Sequence, residues 1–276
     1  MNKHISFILA CFLGLSSAAQ ISTAYVPDKV DPDTVEAHEL REVRNGAFRV
    51  GEKLTYTIHY GWLDAGEAVM EVQESPYKFG ERDAYRIVGS GKSLGGFDWF
   101  YRVRDHYETY LDKDGLFPHY FVRNCDEGGH KINQNYRFFP KKSVVATHEG
   151  DTLLTPNFVQ DMLSSYYYMR ALDYSEAERG DVFEVLTLVD GEVFPLKIKY
   201  QGKDTIKTRK GKFRCMKFVP VVQEGRIFKT EEDLTVWITD DANKIPVMVK
   251  ADILVGSIKM EMTDWEGLAN SLALVD

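Results

Sequence analysis

The sequence predicts a mainly β protein: a large curved antiparallel sheet or partly open barrel, with one principal helix packed against it. Three observations predict this. Short segments of apolar–polar alternation recur along most of the chain. Turn dipeptides such as Asp114-Gly115 and Asp190-Gly191 separate them. Only one segment, residues 156–172, carries a long helical period of apolar side chains. Strands in that abundance with a single helix argue against alternating βαβ units.

The elements follow in order. Residues 1–24 read as an export signal. Lys3 supplies the positive start, Ile5 to Leu15 the apolar stretch, and Ser17, Ala19, Ser22 and Ala24 the small residues for cleavage before Gln20 or Tyr25. The apolar stretch falls short of the roughly 20 residues that a membrane-spanning helix needs. Ile8-Leu9-Ala10-Cys11 loosely resembles a lipobox, so acylation of Cys11 is the alternative, although it would leave a very short signal. No other apolar run approaches spanning length, so no transmembrane span is expected in the mature chain. The expected location is the periplasm or another exported site, peripheral to the outer membrane at most.

Residues 25–46 are polar and acidic, with Pro27 and Pro32 near the start, and read as a leader that packs late or loosely. A single mainly-β domain is expected over residues 47–276. Leu54 to Tyr60 and Glu67 to Gln73 alternate around a turn at Gly61 to Gly66. Tyr85 to Gly89 is a short strand, and Trp99 to Leu111 a long one. Phe117 to Arg123, Lys131 to Phe139 and Ser143 to His148 continue the sheet. Thr155 and Pro156 have the chemistry of a helix cap and first helical position, which predicts a helix from Pro156 to Leu172. Val182 to Val189 and Val193 to Tyr200 then form a hairpin. Thr205 to Thr208, Phe213 to Val221, Leu234 to Thr239, Ile245 to Leu254 and Gly256 to Trp265 complete the strands.

Several stretches together carry a family resemblance. They are Gly51-Glu52-Lys53-Leu54-Thr55-Tyr56, Gly66-Glu67-Ala68, and Tyr107 to Pro118 with Asp112, Gly115 and Leu116. Gln160-Asp161-Met162-Leu163-Ser164-Ser165-Tyr166-Tyr167-Tyr168-Met169-Arg170 follows in the helix. Val236-Trp237-Ile238-Thr239-Asp240-Asp241, Ile245-Pro246-Val247 and Gly256-Ser257 come last. In this order and spacing, from about Phe48 to Trp265, the chain resembles the exported bacterial domain family of unknown function numbered 3108. The resemblance implies an envelope protein but supplies no catalytic set. It also suggests a distant likeness to the curved half-barrel of periplasmic lipoprotein carriers, a fold-level analogy only.

Composition limits the function. The net charge is −8 and no basic run interrupts it, which disfavours nucleic acid as a partner. After signal removal, Cys125 and Cys215 remain, either as a disulfide or as two buried thiols. His119, His130 and His148, with Asp126 and Glu127, lack the spacing of a metal site, and no cofactor is implied. Cys125 and His130 supply proximity without an orienting group, and Ser164 and Ser165 have no nucleophile elbow around them. No catalytic residue is therefore assigned.

The candidate ligand-binding residues are Arg102, Arg104 and His106 on one strand face, Trp99 beside a glycine-rich segment at Gly89 to Gly96 that reads as a flap, and Tyr166 and Arg170 on the helix. The bland alternatives are a cross-paired sheet face and ordinary core packing. The function expected is a non-enzymatic envelope protein that binds a lipid-like or other apolar ligand. A partner-binding module in envelope assembly and an envelope hydrolase are the alternatives.

Overall fold

The computed structural model describes residues 24–221, 234–252 and 257–275. The signal segment and Cys11 lie outside the described residues. Among those described, an open antiparallel sheet dominates and curves around one helix.

The first half of the sheet is a meander: β1 (Lys53–Tyr60), β2 (Leu63–Glu74), β3 (Ala84–Ser93), β4 (Val103–Asp112), β5 (Pro118–Glu127), β6 (His130–Phe139), β7 (Val144–Thr147) and β8 (Thr152–Leu154). A short helix, α1 (Gly95–Phe100), joins β3 to β4. The principal helix, α2 (Met162–Ala171), leaves the β8 edge and leads to β9 (Val182–Val189). The chain returns through β10 (Glu192–Thr208), β11 (Gly211–Pro220), β12 (Leu234–Thr239), β13 (Pro246–Asp252) and β14 (Ser257–Glu266), and β14 pairs with β1. The strand order is therefore 8-7-6-5-4-3-2-1-14-13-12-11-10-9, with β15 (Leu274–Val275) beside β11. The strands expected at Val193 to Tyr200 and Thr205 to Thr208 are one strand, β10, whose register against β11 shifts between Tyr200 and Gly202.

The outer strands β8 and β9 do not pair with each other, and other segments cover both edges. Leu154 N–H donates to the Asp28 carbonyl and Val30 N–H to the Thr152 carbonyl. Gln160 bridges to Thr187 of β9 in parallel, with Gln160 N–H on the Leu186 carbonyl at 2.9 Å and Leu188 N–H on the Gln160 carbonyl at 2.7 Å. Unpaired edges template aggregation, so such covers protect the fold.

The leader is not loose. Tyr25 exchanges backbone hydrogen bonds with Val193. The Arg41 guanidinium donates to the Gly115 and Leu116 carbonyls at 2.8 and 2.7 Å and lies over the rings of Phe158 and Tyr168. A Cβ at Gly115 would fall 2.8 Å from the Arg41 carbonyl and closer still to the Phe117 ring, so glycine is what admits this strap.

The helix starts later than its proline suggests. Pro156 to Val159 form a turn, with Phe158 at φ +57° and Val159 N–H on the Pro156 carbonyl, and Gln160 then serves the β9 edge. Asp161 is the N-cap: its Oδ1 accepts from Leu163 and Ser164 N–H, each at 2.8 Å, and the Ser164 hydroxyl bonds the Asp161 amide. Most of α2 is buried, including Leu163, Tyr166, Tyr167 and Arg170. A Cβ at Gly89 of β3 would sit 3.2 Å from a Leu163 methyl group, so this glycine lets the helix dock on the sheet. Gly89 and Gly91 are thus strand residues, and only Gly95 and Gly96 belong to the connection.

Candidate ligand-binding site

The six residues singled out in the sequence are divided among three places. Arg104 and His106 lie on the outer face of β4, along a shallow groove of about 360 Å³ with Glu67, Ser90 and Lys92. Its basic side chains already have acidic neighbours. Arg104 reaches Asp98 at 2.6 Å, Lys92 reaches Glu67 at 2.9 Å, and His106 faces Glu108 at 3.5 Å. The Arg104 guanidinium and Ser93 hydroxyl hold the Asp98 carboxyl at about 2. Arg102 precedes the strand and pairs with Asp126 at 3.4 Å. Trp99 is in α1 rather than in β4, and it is 91% exposed.

Tyr166 and Arg170 are interior. They line an apolar pocket between α2 and the second half of the sheet, together with Met169, Leu196, Ile198, Phe218, Val236 and Ile238. Its free volume is about 40 Å³, enough for a few water-sized groups. The sheet therefore does not close tightly on the helix here, and an apolar end group fits.

Arg170 brings no free charge to this pocket. Its guanidinium forms a bidentate pair with Glu52, Nη1 to Oε1 at 2.6 Å and Nη2 to Oε2 at 2.8 Å. Nε donates to the Asn243 carbonyl and Nη2 to the Ala47 carbonyl. Burial opposes its charge, but Glu52 and the facing Tyr166 and Tyr167 hold it protonated above its ordinary range. Lys244 is different. It lines the same pocket from the β12–β13 turn. Burial lowers its ammonium pKa, with Arg170 adding to the effect, while Asp173 and Asp241 oppose it.

A second constellation escaped the sequence reading. Asp105 and Glu127 lie on the inner face of β4 and β5, where Asp105 is opposite Cys125 and Glu127 opposite Val103. Both acids are buried, and Asp105 faces Glu127 and Cys125. Burial, then the neighbouring Glu127, push the Asp105 carboxyl up to about 8. The available signal was an acid inside the apolar face Val103-Asp105-Tyr107. The groove that touches Asp105 lies on the opposite, outer face of the sheet.

The other candidates resolve into structural roles. Asp161 caps α2 and accepts from the Thr109 hydroxyl at 2.6 Å; burial raises it to about 6 against these hydrogen bonds. His119 meets Asp112 at 3.0 Å and stacks on Phe79. Cys125 and Cys215 are buried thiols and are not joined in a disulfide. Among the described residues, no three His, Cys, Asp or Glu side chains gather for a metal ion, and no helix is long and apolar enough to cross a membrane.

An open antiparallel sheet curved around one buried helix, with a small apolar pocket beside that helix, defines the class of protein. The chain belongs to the DUF3108 family, described as proteins of unknown function, which it matches over residues 55–263. Among solved structures, the β-barrel-like DUF1849 protein from Brucella abortus is similar in fold, at 10% identity and a TM-score of 0.51, covering 81% of this chain and 98% of that one. The hypothetical protein CT021 from Chlamydia trachomatis matches at 10% identity and a TM-score of 0.36, over 83% of this chain and 93% of the other. A protein with a YmcC-like fold from Bacteroides fragilis matches at 10% identity and 0.32, over 82% and 100%. No curated protein matches the chain significantly.

Proposed function

We propose that this protein is a non-enzymatic, exported envelope protein that binds an apolar or amphipathic ligand. The observation that carries the reading is the pocket between α2 and strands β10 to β13. Its wall is almost wholly apolar, and it stays unfilled although aromatic side chains crowd the surrounding core. Ligand sites have this character: apolar walls with few polar groups. At about 40 Å³ the pocket takes a ligand's apolar end, and the rest of the ligand leaves through its open side.

The test is native mass spectrometry of protein purified from its own envelope fraction. A retained lipid-like mass is expected, and Ile198→Trp, which fills the pocket, should abolish it. A ligand-free protein that also takes up no apolar probe would overturn the reading. The same preparation reports export: the mature chain should begin at Gln20 or Tyr25, or at an acylated Cys11.

A second reading, a partner-binding module in envelope assembly, is favoured by one other observation. Trp62 is 88% exposed on the β1–β2 turn, and Trp99 and Phe100 are 91% and 82% exposed on the adjacent β3–β4 connection. Large apolar side chains grouped at one end of a sheet mark interaction surfaces.

A further inference from the structure

We propose that Lys244 is the head-group anchor of the apolar pocket, so that the ligand is a single-chain amphiphile with an anionic head, a carboxylate or a phosphate. This rests on the pocket reading above and adds the chemistry of its wall.

Lys244 lines the pocket with Pro246 and with Ile238 of β12, and with Arg170 it is one of two cationic side chains in an otherwise largely apolar wall. Other lysines that are partly covered, such as Lys113 and Lys259, meet carboxylates. The Lys244 ammonium meets none within 4 Å among the described residues; only its backbone amide is engaged, on Asp241.

The two nearest acids are committed elsewhere. Asp241 Oδ1 accepts from the Thr239 hydroxyl and the Asn243 amide, both at 2.9 Å, and Oδ2 accepts from the Ala273 amide at 2.7 Å. Asp173 Oδ1 accepts from the Ser175 amide at 2.9 Å. Glu52 is spent on Arg170. Among the described residues, the pocket wall therefore holds one half-buried cation with no carboxylate in direct contact, Asp173 and Asp241 acting on it only from a distance. A partly desolvated ammonium is costly when alone and gains most from an anion. An apolar tail in the pocket would place its own head group near that ammonium.

The backbone makes a clean test available. Lys244 has φ +48°, a conformation that asparagine adopts more readily than most residues. Lys244→Asn thus removes the charge and keeps the turn, and a thermal melt checks that the fold is intact. Decanoate, decyl phosphate and 1-decanol are titrated calorimetrically into both proteins. The wild type should bind at least one anionic probe about tenfold or more tighter than decanol, as a charge-assisted hydrogen bond implies. That preference should vanish in Lys244→Asn while decanol affinity stays constant. The better of the two anions identifies the head as carboxylate or phosphate. Equal binding of all three probes by the wild type, or a preference that survives the substitution, overturns the anchor and leaves the apolar pocket standing. No binding of any probe overturns the pocket and the anchor together.

Discussion

Arg170 and Glu52, 118 residues apart in the chain, form a bidentate ion pair sealed from solvent. The pair joins the last turn of α2 to the residue before β1, and the Arg170 bonds to Asn243 and Ala47 add the β12–β13 turn and the end of the leader. It sits where the two halves of the sheet meet at β1 and β14.

Removing one partner should be far more damaging than removing both. Glu52→Gln or Arg170→Met leaves a buried charge without its counter-charge and should cost about 3–5 kcal/mol in urea unfolding. The double variant Glu52→Leu/Arg170→Met should recover part of that loss. Equal losses for the single and double variants would contradict the assignment.

Asp105 should make the fold less stable as pH rises. Its folded pKa, about 8, lies above that of an ordinary carboxyl, so the folded chain keeps a proton that the unfolded chain loses near pH 4. The folded state binds more protons between pH 4 and 8, and stability therefore falls across that window. The penalty is complete above the folded pKa. Asp105→Asn should raise stability at pH 8 by several kcal/mol and change it little at pH 4, with roughly 5 kcal/mol as the ceiling, since the carboxyl moves from 3.8 to about 8 and each pKa unit is worth about 1.4 kcal/mol. Chemical unfolding at both pH values checks this; a pH-independent effect of the substitution would refute the raised Asp105 carboxyl.

Local periodicity made most strands legible. β4 shows the pattern well, with Val103, Asp105, Tyr107, Thr109 and Leu111 buried on one face as the alternation implies. The same alternation misled at Trp99 and Tyr101, because the Ser93–Asp98 and Arg104–Asp98 hydrogen bonds wrap that stretch into α1. Pro156 signalled a helix start, but the chain turns at Phe158, Gln160 bonds the β9 edge and Asp161 took the cap. The candidate site was half legible. Tyr166 and Arg170 do line the pocket. Neutralisation of Arg170 by Glu52 is a long-range fact. Lys244 meets no carboxylate directly among the described residues, and Asp241 beside it accepts from Thr239, Asn243 and Ala273. No local pattern encodes either.

The leader should behave as part of the fold. Arg41→Ala removes two hydrogen bonds to carbonyls and a guanidinium packed on two rings, so a loss of about 1–3 kcal/mol is expected. Deleting residues 25–30 uncovers the β8 edge, where Asp28 and Val30 now bond. Concentration-dependent self-association should then appear in sedimentation, as an unpaired edge recruits another copy. A monomer of unchanged stability would show that the strap is dispensable.

The aromatic end should contribute nothing to stability and should matter only for contact with a partner. Trp62 and Trp99 have almost no protein neighbours to lose, whereas Phe97, in the same helix as Trp99, is half-buried and faces the Tyr60 ring at 6.4 Å. Trp62→Ser/Trp99→Ser should therefore leave the melting temperature nearly unchanged, since exposed substitutions usually fall within about 0.5 kcal/mol. Phe97→Ser should lower it. If this end is a docking surface, the double variant should lose any envelope protein that co-purifies with the wild type, while its occupancy of the α2 pocket stays the same. Retention of the partner by the double variant would remove this end from the function; loss of pocket occupancy instead would tie the exposed tryptophans to ligand entry.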